Sequence, residues 1–164
     1  HVMLFAADQY LRQHGMPRAI DDVEGHQFIE LDAPDVHGHA IDAVLNEELH
    51  QKLVPFRVSS SYLLYSAVVS GLGIAALPTY ARAISRRIRP LALPVQYRFD
   101  LWMSYKQEAR KSEPVRHVVD WLRGCFDAER YPWFASQFVH PDSFLSSHEN
   151  GLVVPLFDLM MPDI

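Results

Sequence analysis

The chain has little cysteine and no long apolar run. Cys125 is the only cysteine among 164 residues, which excludes an intrachain disulfide and any metal site built from several thiolates. No stretch approaches about 18 uninterrupted apolar residues, so the sequence predicts no membrane-spanning helix. It shows no basic-then-apolar leader pattern, and nothing in it requires an oxidising compartment, so we expect a cytoplasmic protein.

Positive charge is also scarce. Lys and Arg number 15 against 20 Asp and Glu, which gives a net charge of −5. Nucleic-acid-binding surfaces need a basic stripe, so we expect no DNA-binding surface within this chain. The single basic cluster is Arg82, Arg86, Arg87 and Arg89. We interpret it as the solvated face and C-terminal end of a helix, in preference to a phosphate site.

Motifs of common enzyme and cofactor sites are missing. There is no Gly-x-Ser-x-Gly elbow, dinucleotide fingerprint or phosphate loop, and Gly71-Leu-Gly73 ends a helix rather than opening one. His37-Gly-His39, with Asp32, Asp35 and Asp42 nearby, lacks the spacing of a metal site and predicts a solvated loop. We therefore expect no catalytic residue, no metal and no cofactor. A small hydrolase would need a close Ser–His–Asp geometry in the folded chain.

The most informative stretch begins with three consecutive serines. Ser59–Ser61 can cap a helix, and Tyr62–Val69 is apolar almost all round, which predicts a helix buried on most sides. Gly71 and Gly73 suit a left-handed helix end and a tight turn. Ile74–Leu77 then predicts a short buried strand, which the following proline ends.

Short apolar runs predict further strands along the chain. They are Val2–Ala6, Gln27–Leu31, Ala40–Leu45, Phe56–Val58 and Arg98–Tyr105. Helices are predicted from Asp8 as cap to Gln13, from Thr79 as cap to about Arg87, and from Ser112 onward. Helices that alternate with strands indicate an α/β fold.

The last predicted helix carries one apolar stripe that needs a partner. Its members recur at three- and four-residue spacing and are Val115, Val118, Val119, Leu122 and Phe126. Cys125, beside the stripe, is predicted to be a small buried side chain. Residues 128–164 are rich in aromatics and prolines, which argues against plain disorder, and Leu152–Met161 predicts a strand or docking segment. Either this tail or a second chain could cover the stripe.

Three segments carry a family resemblance in the same order and spacing. They are SGLGIAALPTYAR at 70–82, the pair 8–17 and 21–26, and the pair 99–105 and 112–122. Together they resemble the effector-binding domain of LysR-type transcriptional regulators, over residues 1–127. The resemblance implies a type 2 periplasmic-binding-protein-like fold, in which two α/β lobes hold a small effector between them.

By that resemblance the chain supplies only part of the regulator. It would contain the second lobe, the return crossing and the last helix of the first lobe, followed by a C-terminal extension at 128–164. The N-terminal winged helix-turn-helix that binds DNA would be absent, along with most of the first lobe. Because family members form dimers and tetramers, we expect a homo-oligomer.

The resemblance also implies where an effector would bind. Polar residues where a strand runs into the serine-led helix face the cleft in the family, and a helix N-terminus favours a carboxylate. The candidate contacts are Ser59, Ser60 and Ser61, with Phe28 and Glu30 on the crossing strand and Trp102 on the return strand as weaker candidates. Alternatively, the serines only cap the helix, and the other three belong to ordinary core or surface.

Two functions follow as hypotheses. The chain is the effector-sensing domain of a LysR-type regulator, which binds a small, anionic metabolite to control DNA binding or transcription without catalysis. Alternatively, it is a truncated fragment that senses nothing and acts as an oligomerisation or interaction module through the stripe and the aromatic tail.

Overall fold

The computed structural model describes residues 1–32, 40–43, 45–146, 151, 153–154 and 158. The strands are β1 (Val2–Ala7), β2 (Ile29–Leu31), β3 (Phe56–Val58), β4 (Ala75–Pro78), β5 (Ile88–Pro90) and β6 (Gln96–Tyr97). The α-helices are α1 (Asp8–His14), α2 (Glu47–Leu53), α3 (Ser61–Val69), α4 (Ala81–Ile84) and α5 (Glu113–Cys125). Over these residues, no helix combines the length and the apolar character needed to cross a membrane.

The main sheet is built around β1, whose six residues are all buried. β4 runs antiparallel along one edge of β1, with Met3 opposite Leu77. β5 and β6 share the other edge, also antiparallel, with Ala6 opposite Arg89 and Val2 opposite Tyr97. A continuous apolar run such as Val2–Ala7 suits this position because the strand is buried on both faces.

A second, two-stranded sheet joins β2 and β3 in parallel, with Glu30 opposite Arg57. An isolated parallel bridge between Phe28 and Ile74 connects β2 to the region of β4. Gly73 lies at this junction, and a Cβ atom there would stand 2.7 Å from the Gln27 carbonyl oxygen. The two sheets meet because glycine permits that close backbone approach.

The stretch from the serines to β4 folds as predicted from sequence. α3 ends in a Schellman motif, in which the Leu72 N–H donates to the Ala67 carbonyl and the Gly71 N–H to that of Val68. Gly71 has φ +77°, the left-handed conformation that this motif requires. The predicted burial is correct for Leu64, Tyr65, Val68 and Val69, but the first turn is exposed at Tyr62 and Leu63.

Two predictions of secondary structure in the N-terminal half of the chain are wrong. Asp8 is not a cap: Ala7 occupies that position, Asp8 begins α1, and its carboxylate pairs with Arg89. The predicted strand Ala40–Leu45 is instead a 3-10 helix at Ala40–Ala43. The polar stretch that follows forms α2, because the Asn46 Oδ1 accepts from the Leu49 N–H and caps that helix.

The helix predicted from Thr79 to about Arg87 is much shorter. α4 spans only Ala81–Ile84, its N-cap residue is Tyr80, and Thr79 makes no cap. Ser85 is extended, and the Asp158 carboxylate accepts from the Ser85 hydroxyl at 2.6 Å and from the Arg86 N–H at 2.9 Å. These contacts hold the chain out of the helix before β5 begins.

The interpretation of the basic cluster as a solvated face is wrong for Arg82, which is buried. Its guanidinium donates to the Arg86 carbonyl at 2.9 Å and to that of Ile88. Its Nε also donates to the Asp142 Oδ1 at 3.3 Å. Arg82 therefore ties α4 and β5 to the C-terminal extension.

The predicted strand Arg98–Tyr105 is also wrong. Regular pairing stops at β6, where Tyr97 faces Val2, and residues 98–105 lie beyond that end of β1. In the described chain these residues form no helix, no strand and no backbone–backbone hydrogen bond. The alternating pattern is present, but none of the described strands pairs with it.

α5 begins where the sequence predicts, after Ser112 and with Pro114 in its first turn. The Ser112 side chain makes no capping hydrogen bond, and Cys125 is half-buried rather than buried. Of the apolar stripe, only Val119 is buried. The extension covers one end of the stripe, where the rings of Phe126 and Phe134 lie 4.9 Å apart.

The C-terminal extension folds back onto α4. Trp133 and Phe144 form a second small core with Ala83, with their ring centroids 5.2 Å apart. Two 3-10 helices, Pro132–Phe134 and Pro141–Leu145, place these rings. Most of the predicted segment Leu152–Met161 lies outside the described residues.

Candidate functional site

The three serines lie where β3 passes into α3. Ser60 occupies the N-cap position with extended backbone, yet its side chain makes no capping hydrogen bond. Ser59 and Ser61 are exposed, and within the described chain none of the three hydroxyls forms a hydrogen bond. The capping predicted for them is therefore absent, and the serines lie at the helix N-terminus, the end of a helix where an anion is favoured.

An ion-pair network centres on Glu30 of β2, with Arg57 of β3 and His50 of α2 as its partners. The Glu30 side chain is buried, with Oε1 3.0 Å from the His50 Nε2 and Oε2 3.0 Å from the Arg57 Nε. Asp42 reaches the same histidine at 4.0 Å. Because Glu30 is already engaged, the cation of this network that an anionic ligand can reach is the half-exposed Arg57 guanidinium.

His50 and Arg57 were not predicted as functional residues. Arg57 lies on β3, which ends at Val58, one residue before Ser59. His50 comes from α2, which the sequence did not reveal as a helix. The signal that could have found Arg57 is the strand alternation of Phe56–Val58, which places it beside the serines.

The two apolar candidates lie apart from this cluster. Phe28 is fully buried at 0% exposure, with its N–H donating to the Leu53 carbonyl at 2.7 Å. A ligand could touch its side chain only if the core opened. Trp102 is 90% exposed and lies in the irregular segment after β6. Phe28 thus belongs to the core and Trp102 to the surface.

Trp102 lines an open groove of about 990 Å³ between residues 98–104, α5 and the extension. Aromatic side chains dominate its walls, among them Tyr80, Phe126, Trp133 and Phe134. Arg98 and Arg123 are its side-chain cations, and Asp100 is its one carboxylate. The serines are not among the residues that line this groove.

A second polar cluster, at α1, serves the core. The Tyr10 hydroxyl accepts from the Gln27 N–H at 2.8 Å and lies 3.3 Å from the His26 Nδ1. Burial lowers the pKa of His26, and the charge of nearby His14 lowers it further. A buried histidine beside a buried tyrosine is a structural contact of the core.

No cluster of three or more histidine, cysteine or acidic side chains suited to a metal occurs among the described residues. The pair His37 and His39 lies outside them, as does Asp35. Asp32 and Asp42 are described and exposed.

Comparisons with known proteins agree on one family. A model of the LysR substrate binding domain matches residues 1–126. The regulatory domain of CrgA, a LysR-type transcriptional regulator from Neisseria meningitidis, is similar in fold with a TM-score of 0.55 and 22% sequence identity. That likeness covers 74% of this chain and 62% of that chain.

A second solved structure of CrgA from Neisseria meningitidis gives a TM-score of 0.54 at 22% identity and covers 74% of this chain and 43% of that chain. The chain thus spans less than two thirds of the length of either solved relative. None of the curated proteins matches it. The mixed α/β architecture is that of a partial type 2 periplasmic-binding-protein-like fold.

Proposed function

The chain belongs to the LysR substrate binding domain family, and from that premise we propose that it is the effector-sensing domain of a LysR-type transcriptional regulator. The observation that carries the proposal is the position of Ser59, Ser60 and Ser61 at the start of α3, where no side chain among the described residues caps the helix. Such a position offers hydroxyl donors and backbone N–H groups to one small ligand.

The ligand that this site favours is a carboxylate. The positive end of the α3 dipole and the half-exposed guanidinium of Arg57 both stabilise negative charge. Glu30 acts here as the residue that holds Arg57, and Phe28 and Trp102 remain weaker candidate contacts. Neither a cofactor nor catalysis is part of this function.

Control of transcription would follow from differential affinity. An effector that binds one conformation of the domain more tightly shifts the population toward it, and the shift passes to a DNA-binding domain outside these residues. In this proposal residues 1–127 form the sensing domain and 128–164 an extension to it. The protein acts in the cytoplasm as a homo-oligomer.

Thermal unfolding against a panel of aromatic and aliphatic carboxylates tests the proposal. A ligand that binds only the folded state raises the melting temperature in a concentration-dependent way. Ser59→Ala and Ser60→Ala should abolish the shift. Ser112→Ala is the matched control, because Ser112 occupies the same exposed position at the start of α5. A shift that survives both serine changes at α3, or no shift with any compound, would overturn the site.

A second candidate function is an assembly module. It is favoured by the exposed apolar side chains around α5 and the segment before it, which include Phe99, Leu101, Trp102, Val118 and Trp121. Large contiguous apolar patches are uncommon on monomers and mark interaction sites. Sedimentation at several concentrations separates the candidates, because an assembly module must self-associate.

A further inference from the structure

A cluster of three rings lies where α1 meets the chain just before β2. Tyr10 of α1 is buried at 1% exposure, and His26, which follows the 3-10 helix Ile20–Gly25, is buried at 5%. The ring of the exposed His14 stacks on that of Tyr10, with their centroids 4.2 Å apart. The His26 ring centroid lies 5.7 Å from that of Tyr10. The cluster therefore places two histidines against one buried tyrosine.

The cluster is hydrogen-bonded to the junction between the two sheets. The Tyr10 hydroxyl accepts from the Gln27 N–H at 2.8 Å. The Gln27 carbonyl in turn accepts from the Ile74 N–H at 2.9 Å, beside the bridge that joins Phe28 to Ile74. The Gln27 backbone thus connects the Tyr10 hydroxyl to the contact between the β2–β3 pair and the main sheet.

These hydrogen bonds indicate where His26 carries its proton. The Tyr10 oxygen accepts from Gln27, so its own hydrogen is available to the His26 Nδ1, which lies 3.3 Å away. Nδ1 accepts that hydrogen only in the neutral histidine that is protonated on Nε2. Protonation of His26 would place an N–H on Nδ1 as well. The hydroxyl hydrogen would then lose this acceptor inside the core, where an unpaired polar group destabilises the folded state.

The surroundings of His26 also favour its neutral form. Burial lowers the pKa of His26 from its ordinary value of 6.5, the charge of His14 on α1 lowers it further, and the charge of Asp22 on the 3-10 helix raises it by less. The Asp22 Oδ2 is already engaged, because it accepts from the N–H groups of Arg18 and Ala19 at 2.7 and 3.0 Å. A proton on His26 is therefore less favourable in the folded chain than in the unfolded chain.

We propose that His26 is a proton-sensitive contact at the junction of the two sheets. In its neutral form it orders the Tyr10 hydroxyl, which holds Gln27 in place. On protonation of His26 the junction opens more often, and the attachment of the β2–β3 pair to the main sheet weakens. This property goes beyond the proposed sensing of an effector and does not depend on any ligand.

The pH range of the effect follows from the direction of the pKa shift. The open junction binds a proton at His26 more readily than the closed one, so closure is fully favoured above about pH 6.5 and weakens as the pH falls below that value. A single proton changes the opening equilibrium by about tenfold per pH unit in this range. We therefore expect about tenfold more opening at about pH 5.5 than at about pH 7.5.

Amide hydrogen exchange of the full chain, followed by NMR, tests the proposal. Between about pH 7.5 and about pH 5.5, the protection factors of the Gln27 and Ile74 N–H groups should fall about tenfold. The Leu91 N–H, which donates to the Leu4 carbonyl at 2.9 Å in the main sheet, is the internal reference and should keep its protection. Unchanged protection at the junction, or an equal fall at Leu91, would overturn the proposal.

His26→Asn separates the proton from the packing. Asparagine can present its Oδ1 in place of Nδ1 and does not titrate, so the fall in protection between the two pH values should disappear. His117→Asn changes an exposed histidine on α5 and is the matched control, which should keep the wild-type fall. A fall that persists in His26→Asn would contradict the role of His26.

The unaltered chain provides a test that needs no substitution. The NMR signals of the His26 ring should titrate with a midpoint below the ordinary value of 6.5, because burial lowers the pKa of His26. A midpoint at or above that value would overturn the proposal even if His26→Asn fails to fold.

Discussion

At the scale of single residues, Arg82 joins three parts of the molecule through one buried guanidinium. Arg82→Ala leaves the carbonyls of Arg86 and Ile88 and the Asp142 carboxylate without this donor. We expect it to lower the free energy of unfolding by about 3 kcal/mol, because buried acceptors lose their partner. Urea denaturation followed by far-UV circular dichroism measures the loss.

Asp142→Asn is the matched comparison for Arg82. Asp142 is half-exposed, so the ion pair it contributes is screened by solvent and should be worth less than about 1 kcal/mol. The guanidinium keeps its two carbonyl acceptors in that variant. Equal losses in the two variants would contradict the idea that the carbonyls, and not the ion pair, are the main partners of Arg82.

The side-chain contacts of single residues could not be predicted from the sequence. Three consecutive serines before an apolar run predict a cap, and the helix does begin there. A cap, however, depends on a side-chain rotamer, and sequence does not fix which way a hydroxyl turns. Four neighbouring arginines predict a solvated cluster, whereas Arg82 is buried and has one partner, Asp142, 60 positions away in the sequence.

At the scale of elements, the junction between the two sheets depends on Gly73. Gly73→Ala would place a Cβ atom 2.7 Å from the Gln27 carbonyl oxygen, a backbone atom that cannot move without shifting β2. We expect a loss of about 1–3 kcal/mol in the free energy of unfolding. Thermal or urea unfolding of the purified variant measures it.

Gly124→Ala provides the control within the same chain. Nothing lies within 4 Å of a Cβ atom at Gly124, and the residue belongs to α5. Alanine favours helix over glycine, so this change should leave stability unchanged or raise it by up to about 1 kcal/mol. Destabilisation by Gly124→Ala as large as that by Gly73→Ala would refute the steric explanation.

The elements that sequence predicted correctly are those whose signals are local. The apolar run of β1, the glycine that ends α3 and the proline in the first turn of α5 act within a few residues. Residues 98–105 were predicted as a strand because they alternate correctly. Alternation describes one strand, whereas a sheet also requires a neighbour, and that information lies elsewhere in the chain or in another molecule.

At the scale of the whole molecule, the C-terminal extension should unfold together with the α/β lobe. Trp133 is buried in the extension, whereas Trp102 and Trp121 are mostly exposed. In a Trp102→Phe, Trp121→Phe variant, fluorescence therefore reports the extension alone. We expect its urea transition to coincide with the circular dichroism transition, as in a two-state protein. An earlier fluorescence transition would show that the extension detaches first.

The position of the candidate site could be predicted from sequence, but not all of its residues could. The family resemblance placed the serines at the start of α3, and the structure adds His50 and Arg57 as the partners of Glu30. His50 belongs to α2. This helix is mostly polar, so its sequence shows no apolar periodicity from which a helix could be predicted. The relation between α2 and the β2–β3 pair depends on packing, which a single sequence does not encode locally.

α5 lies between two connections to the rest of the fold. The irregular segment 98–105 joins it to β6, and the extension that follows it packs against α4. The chain leaves the main sheet after β6 and returns to α4 through Asp142 and the Trp133 core. A protease that cuts after Arg98, in the segment without backbone–backbone hydrogen bonds among the described residues, would separate two polypeptides but not the folded body. The two fragments should elute together in gel filtration and separate only in denaturant. The folded structure would then be held together by the contacts of the extension with α4, and not by the peptide bond that was cut.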